Sequence, residues 1–226
     1  IARRGKGKDM ENIQADYWEL RFKKEGKIWG ERPCGAAVEA ARLFAEHRLQ
    51  NILVPGCGYG RNARYFAQQG FNVGGFDISP WAVETASREA MSAGLDIEYK
   101  VGDILNPPSW PKTFDGIFTF NLLHLFGQEQ RSAIASWFYK TLGQEGVLVL
   151  TSMSLRDPDF GKGEEVGYHT FESKKGRPVF YFDAEDMRQL FQRNFKILRL
   201  EEIQEHEDHG GKEHFHWMWF LAAKKI

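Results

Sequence analysis

The chain has 226 residues, of which 42% are hydrophobic and 18 are phenylalanines, so it can bury one sizeable core. Its 30 basic and 31 acidic side chains leave a formal net charge of −1, which provides no overall field to attract a nucleic acid. We therefore expect a single domain over residues 1–226 and no nucleic-acid partner.

Other features exclude further classes of protein. The basic residues Arg3, Arg4 and Lys6 belong to a short run that is typical of a solvated tail. Cys34 and Cys57 lie in different segments, so neither a disulfide framework nor a four-ligand zinc site follows. No apolar run approaches the roughly 18 residues of a membrane span, and the first residues are polar. We expect a cytoplasmic protein without a membrane partner.

The first half of the chain alternates helices with short apolar strands. Apolar spacing predicts a helix over residues 9–25 and a second over residues 36–48. A strand at 52–55 leads through a glycine turn into a helix over 62–69. A strand at 71–76 then leads into a helix that Ser79 caps and Gly94 ends, and a third strand follows at 97–101.

The second half continues this alternation and then departs from it. A fourth strand is predicted at 114–120, a helix at 128–142 and a fifth strand at 146–151. Residues 153–179 are polar, glycine-containing and too long for a simple connector. After a helix at 183–193, strands at 195–203 and 214–223 form a hairpin, so the last strand is antiparallel. The pattern predicts an α/β fold, a doubly wound seven-stranded and mostly parallel sheet with helices on both faces.

The glycine turn reads NILVPGCGYG from Asn51 to Gly60. A dinucleotide fingerprint of the form G-x-G-x-x-G would place its third glycine where Arg61 stands, and no lysine follows as in a P-loop. The turn formed by Gly56, Gly58 and Gly60 therefore predicts close approach of a ligand, with a helix N-terminus behind it that favours a negative group.

Acidic residues end the two neighbouring strands. Asp77 closes the second strand, where a carboxylate can accept both hydroxyls of a ribose. Asp103 closes the third strand at the same edge of the sheet, within reach of a ring amine. Together with the glycine turn, these carboxylates predict an adenosine pocket without a phosphate clamp.

At this point the sequence resembles the class I S-adenosylmethionine-dependent methyltransferases. The resemblance rests on VPGCGYG, GGFDIS, VGDIL, FDGIFTFN and LGQEG, although LGQEG lacks the lysine and proline of the family's turn. It implies a Rossmann-like fold and S-adenosylmethionine as the cofactor. It also implies that Asp77 binds the ribose and Asp103 the adenine amine. Further cofactor contacts are expected from Ile78, Ile104 and Asn121.

The N-terminal segment YWELRFKKEGKIWGERP is similar to that of the thiopurine and tellurite-resistance methyltransferases. This resemblance implies that residues 1–35 cover the bound cofactor through Trp18 and Trp29. The alternative is that both rings are ordinary core aromatics. The stretches DPDFGKGEE and FYFDAEDMRQLF resemble the same group, and residues 153–180 are expected to form an insertion near the acceptor site.

A second motif resembles one that binds a different class of methyl acceptor, but it lies after the wrong strand. Asn106-Pro107-Pro108 resembles the motif with which amine methyltransferases hold a planar nitrogen, but it follows the third strand rather than the fourth. After the fourth strand stands Asn121-Leu122-Leu123-His124 instead. The first motif is most simply a turn.

Histidines are the candidate residues for contact with the methyl acceptor. His124 lies just past the fourth strand and is the candidate catalytic base for an oxygen or nitrogen acceptor. His214 and His216 share one face of the last strand. His206 and His209 are expected in the hairpin turn, where a metal site is conceivable, but the acidic and lysine neighbours favour a solvated polar turn and no metal.

The sequence thus predicts transfer of a methyl group to a small-molecule acceptor, with a thiol or metalloid nucleophile as one possibility. Two alternatives stay open. One is a nicotinamide-dependent oxidoreductase on a similar sheet, and the other is a non-catalytic cofactor-binding module.

Overall fold

A computed structural model describes residues 6–208 and 213–226, with side chains for residues 14–206 and 214–226. Arg3, Arg4 and His209 lie outside the described residues, as does the side chain of Lys6. None of the described helices is long and apolar enough to cross a membrane.

Six α-helices and ten strands make up the described chain. The helices are α1 (Lys6–Glu25), α2 (Gly35–Glu46), α3 (Arg61–Gln68), α4 (Pro80–Ser92), α5 (Gln128–Thr141) and α6 (Ala184–Phe191). The strands are β1 (Asn51–Pro55), β2 (Asn72–Asp77), β3 (Ile97–Val101), β4 (Phe114–Phe120), β5 (Leu142–Met153), β6 (Glu164–Gly167), β7 (Thr170–Lys174), β8 (Arg177–Phe180), β9 (Phe195–Asp208) and β10 (Glu213–Lys225). A short 3-10 helix covers Leu123–Leu125.

Seven of these strands form one sheet in the order β3-β2-β1-β4-β5-β10-β9. Strands β1 to β5 are parallel, whereas β10 is antiparallel to both β5 and β9. The predicted seven-stranded, mostly parallel sheet with an antiparallel last strand is confirmed. The chain order reverses between β1 and β4, and ligands of such sheets bind in the crevice at the carboxyl ends of strands beside this point.

Alternation along β1 divides the core between the two faces of the sheet. Ile52 and Val54 pack on one side in a cluster that contains Phe44 of α2 and Phe66 of α3. Leu53 packs on the other side in a cluster that contains Phe138 of α5. All six side chains are at most 2% exposed. Burial of each contributes about 1.5–3 kcal/mol, which fixes β1 and the turn that follows it.

The segment that breaks the sequence pattern forms a structure of its own. Strands β6, β7 and β8 make a three-stranded antiparallel sheet. We call residues 153–180 the insertion. It returns to the main sheet through an isolated bridge between Ser154 and Phe182.

Two boundaries predicted from the sequence are wrong. Strand β5 begins at Leu142 rather than at 146, because the LGQEG segment pairs with β4 through a register shift between Phe114 and Gly116. The final hairpin is longer than predicted, so His206 lies within β9 opposite Phe215 rather than in a turn. Backbone pairing of the two long strands extends the ladder past the residues whose side chains are apolar.

Candidate active site

A cavity of about 280 Å³ lies at the carboxyl ends of the central strands. Helix α1, the glycine turn, the 3-10 helix, the insertion and the start of β10 all contribute to its lining. The cavity brings together nearly all of the cofactor and acceptor residues expected from the sequence: Trp18, Trp29, Gly56, Gly58, Asp77, Ile78, Asp103, Ile104, Asn121, His124, His214 and His216.

Gly60 is the exception, since it does not line the cavity. Its backbone has φ +81°, and a Cβ there would lie 2.6 Å from the Tyr99 hydroxyl and 2.9 Å from the Ala86 Cβ. Gly60 is therefore required where the turn packs against β3 and α4. Gly56 and Gly58, with φ +64° and +53°, are the glycines of the turn that face the cavity.

Asp77 fixes the glycine turn from the end of β2. Its Oδ2 accepts a hydrogen bond from the Gly58 backbone N–H at 2.8 Å, and its Oδ1 accepts one from the Ser79 N–H at 3.0 Å. Burial raises the pKa of the Asp77 carboxyl, while these backbone donors oppose the rise. A carboxylate offers about four acceptor positions. The backbone donors do not use all of this capacity, so the buried group fits a ribose hydroxyl pair as a further partner.

The end of β3 provides the second acidic group. Asp103 Oδ1 accepts a hydrogen bond from the Leu105 N–H at 2.9 Å, which holds the side chain in a tight turn. Ile104, beside it, is 7% exposed. The Asn106 N–H closes the same turn on the Asp103 carbonyl at 3.0 Å. The site can therefore present a carboxylate oxygen of Asp103 next to the apolar side chain of Ile104. This combination suits a purine, whose ring packs on apolar atoms and whose exocyclic amine donates to a carboxylate.

Asn121 directly follows β4 and has a left-handed backbone conformation. It has φ +54°, a region that residues other than glycine seldom adopt. Its backbone N–H donates to Thr151 Oγ1 at 3.2 Å, which anchors the residue to β5. Strain held by such contacts is common at ligand sites.

An aromatic cluster covers one side of the cavity. The Trp18 and Trp29 rings have centroids 6.1 Å apart, and both pack with Phe22. The Trp29 backbone N–H donates to the Tyr59 hydroxyl at 2.8 Å, and Arg61 Nη1 donates to the Trp29 backbone carbonyl at 2.7 Å. Both tryptophans are partly buried in this cluster and also line the cavity, so the two interpretations offered by the sequence are compatible.

Glu19 attaches α1 to the rest of the domain. Its Oε2 accepts hydrogen bonds from the Ser79 hydroxyl at 2.5 Å and from the Trp81 N–H at 3.1 Å. Ser79 in turn caps α4 by accepting from the Ala82 N–H at 3.1 Å. A negative group at a helix N-terminus is favourable. The side chain thus holds α1 against the start of α4.

His124 lies in the 3-10 helix and is 2% exposed. Burial, followed by the charges of Arg177 and His216, lowers its pKa to about 3. The imidazole is therefore neutral at physiological pH. Its Nδ1 has no hydrogen-bond partner among the described residues, so this atom can serve a bound molecule.

A second group of polar side chains lies where the insertion meets β10. His216 Nδ1 lies 2.8 Å from Asp157 Oδ2, and the Nε2 atoms of His214 and His216 lie 3.0 Å apart. Asp159 supplies a carboxylate oxygen to the same group. Neither Asp157 nor Asp159 was predicted as a site residue, although both lie in the segment expected near the acceptor, because the contact between Asp157 and His216 spans 59 positions.

Comparison with known proteins identifies the architecture. Residues 52–146 match the protein-family model described as a methyltransferase domain, which spans β1 to the first part of β5. Three uncharacterized methyltransferases of Schizosaccharomyces pombe are each 31% identical over 75 residues, which is 33% of this chain and 52% of theirs. The chain spans about half the length of these curated relatives.

Solved structures extend the likeness over nearly the whole chain. A protein described under conversion of a disulfide bond into a thioacetal group during echinomycin biosynthesis has TM-score 0.75 at 21% identity, covering 94% of this chain and 91% of its own. The fold is the Rossmann-like methyltransferase fold. TehB from Haemophilus influenzae has TM-score 0.65 at 19% identity, covering 92% and 67%. Magnesium protoporphyrin IX methyltransferase from Synechocystis PCC 6803, with bound S-adenosylhomocysteine, has TM-score 0.72 at 18% identity, covering 96% and 100%.

Proposed function

We propose that the protein is an S-adenosylmethionine-dependent methyltransferase that acts on a small molecule. The observation that carries the proposal is the buried Asp77 carboxylate, which closes the glycine turn and lines the cavity with acceptor capacity left over. The methyltransferase-domain match over β1 to β5 supports it, because those strands carry the turn and both acidic residues.

Different residues of the cavity bind different parts of the cofactor. Asp77 binds the ribose hydroxyls, Asp103 accepts from the adenine amine, and Ile78 and Ile104 pack on the ring. Gly56 and Gly58 leave room for close approach, and Asn121 adds a polar contact at the end of β4. Trp18 and Trp29 exclude water from one side. When bound, S-adenosylmethionine supplies an electrophilic methyl group on a sulfonium.

The acceptor occupies the part of the cavity near His124, His214 and His216. Alignment of donor and acceptor at about 3 Å can supply most of the acceleration of such a displacement. The insertion selects the acceptor, since Lys174 and Arg177 on it also line the cavity. Arg177 Nη1 donates to the Tyr17 hydroxyl of α1 at 2.9 Å, which links the insertion to the covering helix.

A thiol or metalloid nucleophile is the acceptor class that we favour. The likeness to TehB and the resemblance of the N-terminal segment to the thiopurine and tellurite-resistance group support this choice. A soft nucleophile also needs little assistance from a base, which agrees with a neutral, buried His124 whose depressed pKa makes it a poor proton acceptor.

Calorimetric titration with S-adenosylhomocysteine tests the cofactor assignment. We expect one site per chain and a loss of at least tenfold in affinity in Asp77→Asn, because the amide cannot accept from two backbone donors and a ribose together. Asp96→Asn is the matched control, since Asp96 is exposed in the turn before β3. Equal affinity in Asp77→Asn and the control would refute the assignment.

The same preparation separates the alternatives. An oxidoreductase would bind NADH in competition with S-adenosylhomocysteine, whereas we expect no competition because Arg61 stands in place of the third nucleotide-binding glycine. A non-catalytic module would bind the cofactor but transfer nothing to any of a panel of thiols, metalloid oxyanions and aromatic acids. We expect methylated product from at least one thiol or metalloid of the panel.

A further inference from the structure

Three metal-ligating side chains converge beside the cavity where the insertion meets β10. One ligand atom each from Asp159, His214 and His216 lies within 4.8 Å of the other two. All three side chains are partly exposed and line the cavity. We propose that these residues bind one divalent transition-metal ion at the acceptor end of the site.

The spacing of the two imidazoles suits a single ion. Their Nε2 atoms are 3.0 Å apart and their ring planes are inclined at 83°. At a metal–nitrogen distance of about 2.0–2.1 Å, two ligands are about 2.9 Å apart at a right angle and about 3.3 Å apart at a tetrahedral angle. The observed separation lies between these values, so the distance between the two atoms is that of two ligands of one ion.

Asp157 orients two of the three ligands. Its side chain is fully buried, and its Oδ2 lies 2.8 Å from His216 Nδ1 while also accepting from the Trp217 N–H at 3.0 Å. Its Oδ1 accepts from the Asp159 N–H at 2.9 Å. A carboxylate that engages the second ring nitrogen of a ligating histidine fixes its tautomer and leaves Nε2 to the metal. Asp157 is thus a positioning residue.

The ion pair between Lys162 and Asp159 competes with metal binding by Asp159, but it is weak. Lys162 Nζ pairs with Asp159 Oδ1 at 2.9 Å, but the two side chains are 62% and 41% exposed. An exposed ion pair contributes about 0–1 kcal/mol, which is small against the binding of a transition metal. Without an ion, the histidine pair shares a hydrogen bond between its Nε2 atoms, and this is the alternative that the experiment must exclude.

A second cluster with the same residue types does not carry the same argument. His169, Asp183 and Asp186 also lie close together. Asp183 accepts from the Asp186 N–H at 2.7 Å, and Asp186 accepts from the Asp183 N–H at 3.1 Å. These carboxylates form the reciprocal cap of α6, so their oxygens already serve the helix.

The ligand set indicates the class of ion. Two imidazoles and one carboxylate suit zinc and its first-row neighbours rather than calcium or magnesium. Three protein ligands leave at least one coordination position for a small molecule. If the proposed function holds, the acceptor is a molecule with a thiolate or similar anionic donor atom that occupies this position. The sequence favoured no metal because the histidines have acidic and lysine neighbours, and Asp159 joins the histidines only through the fold.

Titration of the chelator-treated protein with zinc sulfate, without cofactor or acceptor, tests the site. We expect one ion per chain, at least a tenfold weaker affinity in His216→Ala, His214→Ala and Asp159→Asn, and about 10–100-fold weaker affinity in Asp157→Asn. His206→Ala is the matched control, because His206 is exposed on β9 and outside the cluster. Cobalt substitution should give visible absorption bands of a nitrogen and oxygen site in the parent and the control alone.

The outcomes distinguish this site from the cofactor site. Absence of stoichiometric zinc, or its retention in the His214→Ala/His216→Ala double variant, would overturn the metal proposal and leave a hydrogen-bonded histidine pair. Equal loss in His206→Ala would also overturn it. Asp159→Asn alters a partly exposed loop residue and should keep the parent's melting temperature, so its loss of zinc is not a folding defect. Binding of S-adenosylhomocysteine is measured separately and should be unchanged in Asp159→Asn.

Discussion

Substitution of Glu19 by glutamine tests whether one carboxylate holds α1 in place. The amide oxygen of glutamine can still accept from the Ser79 hydroxyl or the Trp81 N–H, but the negative charge is lost. The charge also pairs with Lys23 at 2.9 Å within α1. The change therefore removes the charge-assisted part of the attachment and leaves the shape of the side chain nearly unaltered.

The expected loss follows from the two contacts to α4. A hydrogen bond to a charged group contributes about 1.5–3 kcal/mol and one between neutral groups about 0.5–1.5 kcal/mol, a difference of about 1 kcal/mol for each bond. Since the Glu19 side chain is 21% exposed, solvent weakens both terms. We expect the docking of α1 to lose about 1–2 kcal/mol, which corresponds to about 5–30-fold more frequent opening.

Hydrogen exchange measures this opening directly. Amides in the second half of α1 should exchange about 5–30-fold faster in Glu19→Gln, while those of β1 and β4 keep their protection. Glu25→Gln is the matched control on the same helix, because the Glu25 carboxylate is exposed and pairs with Arg21 at 3.2 Å. Equal exchange in the two variants, or acceleration throughout the sheet, would refute the attachment by Glu19.

Three further predictions concern single features of the site. Gly60→Ala should lower the free energy of unfolding, measured by urea denaturation, by about 3 kcal/mol, because at φ +81° its Cβ would meet Tyr99 and Ala86. Gly70→Ala is the control, since Gly70 has φ +90° but nothing within 4 Å of the added Cβ, and it should lower the free energy by about 1 kcal/mol. Equal losses in the two variants would contradict the packing role of Gly60. His124 has a folded pKa of about 3 against an ordinary 6.5, so the unfolded chain binds the extra proton. Above pH 6.5 the histidine is neutral in both states and does not change the free energy of unfolding with pH. As the pH falls from 6.5 towards 3, the free energy of unfolding should decrease by up to about 1.4 kcal/mol per pH unit. This slope should be smaller in His124→Gln, and an identical slope in the variant would disprove the role of His124. Binding of S-adenosylhomocysteine should quench tryptophan fluorescence, and the double variant Trp18→Phe/Trp29→Phe should lose most of this quenching. Trp81→Phe should keep it, since Trp81 does not line the cavity. Similar quenching in the two variants would count against contact of Trp18 and Trp29 with the ligand.

The sheet could be predicted from sequence because its determinants are local. The apolar run of β1 ends in glycines, and β2 ends in Asp77, so alternation alone brings both to one edge. The positions of Asp103 and Asn121 follow by the same argument. The extended β5 could not be predicted, because its first residues pair with β4 despite a polar, turn-like sequence.

The roles that depend on distant contacts could not be foreseen. The sequence places Gly60 in a glycine turn, but only the approach of Tyr99 and Ala86 shows how closely the turn packs at this position. Glu19 meets Ser79 across 60 positions, and Asp157 meets His216 across 59. No periodicity or motif encodes such pairs, since each depends on how separate elements dock.

A crystal structure with S-adenosylhomocysteine bound tests the central claim most directly. We expect both ribose hydroxyls within about 3 Å of the Asp77 carboxylate, the adenine beside Ile104 with its amine on Asp103, and the sulfur in the part of the cavity that leads to His124. A ligand bound elsewhere, or a cavity that stays empty at saturating ligand, would contradict the assignment of this site to methyl transfer.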